Sequence, residues 1–434
     1  MKSNHQKRGR NWKSGGTLLA LGLLAGHRVL GSPVLMEPPA ASTTTLFGQD
    51  EAIADVMNVF IPAGWNVGIP EQLLQYGPIT LHPHVSYNLS YAIGVQSSTN
   101  STQNTVVQQF SPGLTANIGR HLTLDYTAGI TFYSASQLHN AVSHSAALNW
   151  NTSYEDWILG ATQGFNYSDS PRTETAAQTS QQLYSTSLSA GYAINTKMSI
   201  NASVGQNITA VTGLQNSYNW STAETLNYEF WPRLKAGLGV GAGYTKVSDS
   251  YSTGVNNPDI INENIQASVS WRATDKISLS LSAGVGDQQF TAPGYSDSLN
   301  PLFSAGVQYQ PFTVTQISLS ASRSTGSSDY FLAAQSTENT SVNLNLTQRL
   351  LGKYSLNLGV GYNLTDFISS DSTAGTTSSI QRSDEGYVFN AGIGRNIFSH
   401  ANWSVNYQYN DNRSSLGGYS QQSSEIGVQV GIAY

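Results

Sequence analysis

The 434-residue sequence contains no cysteine. Disulfide frameworks, thiolate metal sites and cysteine nucleophiles are therefore excluded. Charge is scarce as well. Lys and Arg number 20 and Asp and Glu 26, which makes 11% of the chain charged with a net charge of -6. A typical soluble domain carries roughly 25% charged residues. A chain this short of cations lacks the clustered Lys and Arg that phosphate recognition requires, so nucleic acid is not expected as a partner. No run of about 18 apolar residues occurs, so no transmembrane helix is expected, and any membrane span must be made of strands. Hydrophobic residues reach only 39%.

What fills the chain instead is Ser, Thr, Asn, Gln and Gly, with 40 glycines and 23 tyrosines. That composition fits either a disordered polar chain or strands with one apolar and one polar face. Residue order decides for strands. From Ile79 onward, apolar and small polar residues alternate with period two. In the last segment Ile426, Val428, Val430, Ile432 and Tyr434 share one face, and Gly427, Gln429, Gly431 and Ala433 the other. The segment before it sets Trp403, Val405, Tyr407 and Tyr409 against Ser404, Asn406 and Gln408.

The connections alternate in length. Short ones fall at 119–121, 195–197 and 351–353, among others, and longer Ser/Thr/Asn/Gly/Asp stretches lie between them, such as 168–182, 325–338, 366–385 and 411–424. This rhythm predicts an all-β, transmembrane, antiparallel up-and-down β-barrel of about 18 strands, with short periplasmic turns and longer extracellular loops. The predicted organisation is a signal peptide over 1–32, a leader or a periplasmic or lumen segment over 33–77 with a short helix at 51–60, and the barrel over 78–434. The signal peptide rests on a basic start (Lys2, Lys7, Arg8, Arg10, Lys13) followed by the short apolar stretch Thr17 to Gly26.

Alternation alone also fits a soluble sandwich or fibre. Three features favour lipid. The apolar face is almost free of charge, where a bilayer penalises Lys and Arg by about 2–4 kcal/mol at mid-depth. Trp150, Trp157, Trp231, Trp271 and Trp403 all lie beside short turns, as an interfacial girdle requires. The chain also ends in an apolar-alternating segment with the terminal aromatic Tyr434, which resembles the signal that barrel-assembly machinery recognises in outer-membrane proteins. The expected partners are therefore outer-membrane lipid and that machinery. One residue opposes the pattern: Glu224 falls on the apolar face with Trp220, Leu226 and Tyr228. A β-bulge near 221–223 would turn it inward, and a subunit interface would also shelter it; the bulge is the expectation.

Several stretches carry a family resemblance. Asn227–Leu234, Trp271–Ser278, Leu299–Phe303 with Gln308–Phe312, and Gln348–Lys353 resemble bacterial outer-membrane proteins of the beta-barrel porin type 2 family. The resemblance runs from about Gly77 to the C-terminus. It implies an outer-membrane barrel of porin type, and some relatives accompany exopolysaccharide export. It brings no catalytic motif.

The chemistry-bearing residues are few. His82 and His84 share a strand face, but Pro83 separates them and no carboxylate is close in sequence. His139 and His144 near a long loop leave room for a hydrolase site at a barrel rim, without a nucleophile elbow to support it. The alternating glycines of 237–243 are strand positions and not a phosphate loop. No catalytic residue, metal or cofactor is expected. Asp125, Lys235 and Arg349 fall on the polar face and are the pore-lining candidates. The expected function is a passive channel for small hydrophilic solutes. The alternatives are a barrel serving polysaccharide export, a structural surface protein and, more remotely, a hydrolase.

Overall fold

Period-two alternation gives each segment two unlike faces, and such segments are stable only if each face meets a matching medium. The computed structural model describes residues 74–98, 101–172, 177–212, 216–248, 258–291, 295–327, 335–369, 379–397, 401–416 and 419–433. The expected signal peptide, the 51–60 helix and Tyr434 lie outside the described residues. The described strands are β1 (Gln75–Tyr76), β2 (Ile79–Ser98), β3 (Ser101–Ile118), β4 (Leu122–Tyr133), β5 (Ala141–Tyr154), β6 (Trp157–Arg172), β7 (Ala177–Asn195), β8 (Met198–Val211), β9 (Ser217–Trp231) and β10 (Leu234–Val247). They continue as β11 (Ile260–Thr274), β12 (Ile277–Phe290), β13 (Ser298–Phe312), β14 (Thr315–Ser327), β15 (Gln335–Leu350), β16 (Tyr354–Ser369), β17 (Ser379–Asn396), β18 (Ala401–Ser414) and β19 (Gln421–Ala433).

Every strand from β2 to β19 pairs antiparallel with its sequence neighbours, and β19 pairs back onto β2 with Ile426 opposite Tyr91. The wall is thus a closed barrel of 18 strands without a free edge. The two-residue β1 adds to β2 at the short-turn end, so pairing begins just before residue 78. Following opposed partners once round the wall returns to β2 about 22 residues from the start. With strands about 4.8 Å apart, that stagger tilts them by roughly 40° and sets a backbone radius of about 18 Å for a regular wall.

The solvent for the apolar face follows from burial. Few apolar side chains are buried, among them Ala92, Leu138, Ile260, Phe290 and Phe367, and no conventional core forms among the described residues. Meanwhile Leu188, Leu238, Leu281, Val360 and Ile426 are each more than half exposed. In water that surface would drive aggregation. In a bilayer it is the correct outer coat, and closure leaves the wall no unpaired edge in lipid.

Two expectations are corrected. The long loops are shorter than alternation suggested: β6 runs to Arg172 and β7 begins at Ala177, and β14 to β19 extend similarly into the polar stretches. Above the bilayer both faces meet water, so the hairpins continue while the hydrophobic signal stops. Glu224 is not turned inward. The β9 pairings with β8 and β10 run without a shift from Ser217 to Tyr228, with Glu224 opposite Ala202 and Val240. It stays on the outer face, exposed.

Candidate functional site

The inner face of the wall is built from the small polar half of each alternation. On β12 it is Ser278, Ser280, Ser282, Gly284 and Gly286; on β10 it is Gly237, Gly239, Gly241 and Gly243. Neighbouring strands link across it by hydroxyl and amide contacts. Ser282 Oγ lies 2.8 Å from Ser304 Oγ, Ser322 Oγ 2.9 Å from Ser341 Oγ, and Thr347 donates to Asn357 Oδ1 at 3.0 Å. One glycine has a steric reason: a Cβ at Gly113 would come within 2.1 Å of His84 Nε2. His84 Nε2 itself contacts Thr127 Oγ1 at 3.1 Å. With such short side chains, a regular wall of this radius encloses a lumen roughly 25 Å wide before any further chain enters it.

The three pore-lining candidates occupy inward positions at different heights. Asp125 sits in the short-turn half of β4 and accepts a 2.5 Å hydrogen bond from Thr115 Oγ1 on β3. Lys235 lies at the short-turn rim, with Nζ 3.5 Å from Glu229 Oε2, so its charge is locally offset. Arg349 is opposite Ser355 at the same rim and is exposed. The structure does not bring the three together. They are separate charges along the wall and do not form one constriction.

The girdle residues group by end. Trp150, Trp157, Trp231, Trp271 and Trp403 lie toward the short turns, with the Trp157 ring 4.7 Å from Tyr192 and the Trp231 ring 6.3 Å from Phe230. At the other end Trp220 stacks with Tyr218 at 6.3 Å and Tyr244 at 5.9 Å. Between these belts, strands such as β19 present Ile426, Val428 and Val430 outward, and Ile432 follows at the short-turn end.

The histidines separate. His144 points outward, its Nδ1 2.9 Å from the Tyr126 hydroxyl. His139 lies in the β4–β5 connection, where its backbone exchanges two 2.9 Å hydrogen bonds with the Gln178 amide. No group of three or more His, Asp or Glu side chains suited to a metal ion occurs among the described residues.

Sequence reasoning missed the extracellular mouth. The β2–β3 hairpin leaves β19 beyond Ile93, at a register shift between Ala92 and Val95, and reaches toward β6 and β7. Gly94 makes the bend with φ +77°. Gln137 Oε1 accepts from Ser97, Ser101 and Gln103 side chains at 3.2, 3.4 and 2.9 Å, tying the hairpin to the β4–β5 connection. Across the mouth, the Arg382 guanidinium forms a two-point ion pair with Asp384, with Nε donating at 2.8 Å. Phe367 and Tyr419 cover that guanidinium at 4.7 and 4.1 Å. Isolated Gln, Gly and Arg residues in polar stretches carry no periodic signal that would have marked them.

No protein-family model matches the chain, and no curated protein sequence matches it. Among solved structures it is similar to the siderophore receptor PirA from Pseudomonas aeruginosa, with 9% identity, 81% of this chain and 80% of that one covered, and a TM-score of 0.44. It is also similar to the FrpB iron transporter from Neisseria meningitidis (F3-3 variant), with 9% identity over 80% of this chain and a TM-score of 0.46. The match spans 64% of the FrpB chain, under two-thirds of its length. The copper transporter OprC gives 11% identity, covering 79% of this chain and 62% of that one, with a TM-score of 0.43. Likeness at that level fixes neither strand number nor cargo. The closed wall, its apolar exterior and its two aromatic belts define the class: the protein is a bacterial outer-membrane β-barrel.

Proposed function

We propose that the chain is a passive diffusion channel for small hydrophilic solutes. The observation that carries this reading is the inner face, which is small and polar round a wall of 18 strands. Barrels of 16–18 strands leave an aqueous lumen unless another segment fills it. Along β10 and β12 such a face offers water and small solutes hydroxyl and glycine surface, and apolar Ile260 and Phe290 enter it only toward the long-loop end. In this reading β19 is the strand offered to barrel-assembly machinery. Asp125 adds inward negative charge, and the channel prefers cations mildly.

The test is conductance of refolded protein in planar bilayers. Steady open channels are expected, with a cation-side reversal potential in a salt gradient that moves toward zero in Asp125→Lys. Folded barrels that conduct nothing would overturn the channel. Polysaccharide binding by such silent barrels would establish the export-accessory role in its place.

A further inference from the structure

On β6 to β9 the outer wall carries polar side chains at the depth that belongs to acyl chains. The stagger places each residue about 2.5 Å further along the membrane normal than its predecessor. Glu224 then lies about 10 Å above the short-turn aromatic Tyr228 and about 10 Å below Trp220, at the middle of the apolar band. Its neighbours across the strands are Ala202 and Val240, which offer no hydrogen-bond donor. Thr222 is next on the same face, and Thr186 on β7 donates to Gln163 Oε1 on β6 at 2.6 Å. On β12, by contrast, the outward positions between the belts are all apolar (Leu279, Leu281, Ala283, Val285).

These positions have a geometry that suits a second copy of the chain. Opposed partners run Leu148, Gln163, Thr186, Gln206 from β5 to β8, and Ala161, Leu188, Val204, Thr222 from β6 to β9. Converted to depth, Gln163 on β6 and Glu224 on β9 stand at about the same level, roughly 19 Å apart round the wall. Leu188 and Val204, each more than half exposed, lie midway. A two-fold axis along the membrane normal between β7 and β8 therefore carries Gln163 onto Glu224, and Glu224 onto Gln163. The carboxamide N–H donates, and the carboxylate accepts. Ala190, opposite Ala202, lies beside the axis on its short-turn side, where its small side chain permits close approach.

We infer that two copies associate in the membrane through the outer faces of β6–β9, with Glu224 of each accepting a hydrogen bond from Gln163 of the partner subunit. The pairing removes an acceptor from lipid, where no other group among the described residues satisfies it. It does not depend on whether the lumen conducts.

The chain has no native cysteine, so single-cysteine cross-linking reads the interface directly. Leu188→Cys in native outer membranes, treated with an oxidant, is expected to give a covalent dimer. Leu281→Cys, at a similar depth on β12, is expected to give none. In the Leu188→Cys background, Glu224→Leu is expected to lower the yield at least tenfold, and Glu224→Gln to retain most of it. Heat-dependent gel mobility reports that each variant is folded. A Leu188→Cys barrel that is folded but never cross-links, a yield indifferent to Glu224→Leu, or a trimer mass in detergent would each overturn the inference.

Discussion

Placing an arginine on alternate faces of one strand tests the whole assignment of inside and outside. Leu281 and Ser282 are consecutive on β12. Leu281 faces out between Val269 and Ala305, 56% exposed, at about the depth of Glu224. Leu281→Arg puts a guanidinium among acyl chains, which costs about 2–4 kcal/mol at the bilayer midplane. That is a loss of roughly 30- to 700-fold in the folding equilibrium. Ser282→Arg points into the lumen, where water solvates the charge. It loses the contact with Ser304 Oγ, worth about 1 kcal/mol. Leu299→Arg faces outward but high on β13, near the headgroups, and costs about 0–1 kcal/mol. Reversible urea unfolding in thin lipid vesicles, followed by tryptophan fluorescence, ranks the three. The expected order is Leu281→Arg far below the other two. A Ser282→Arg variant less stable than Leu281→Arg would refute the outward apolar face, and with it the membrane assignment.

Two further outcomes concern the mouth. Gly94→Val places a β-branched residue at φ +77°, with its Cβ 2.1 Å from the Gln422 carbonyl oxygen. The bend should lose about 1–3 kcal/mol, and hydrogen exchange of residues 95–98 and 101–104 should quicken while β12 stays protected. Arg382→Ala leaves the buried Asp384 carboxylate without its guanidinium and should cost about 3–5 kcal/mol in thermal or urea unfolding. Arg382→Met combined with Asp384→Leu should recover most of that loss. If the single variant is as stable as the parent, the pair is not buried as described.

The strands themselves were legible because alternation is a local property. Ile426, Val428 and Val430 must leave one side of an extended chain, whatever lies around it. The girdle tryptophans were legible for the same reason, since each sits next to a turn that the chain order already marks. The sequence could not show where hairpins end above the bilayer. There both faces meet water, and the polar stretch 168–182 reads alike as loop or as strand.

Glu224 shows the division most clearly. Its place on the apolar face was written in the spacing from Trp220 to Tyr228, and the chain by itself could not say whether a bulge removed it. Only the register with Ala202 and Val240 decided that, because a bulge is a relation between two strands. The depth match of Gln163 with Glu224 likewise exists only in the closed wall, since it depends on a tilt that the stagger of all 18 strands sets together. The mouth belongs to the same category. Gln137, Gln178 and Arg382 acquire their partners through contacts between distant segments, which no local period encodes. The sequence determined which side of each strand tolerates lipid; the tertiary structure decided which strands are neighbours, and so which polar groups can meet.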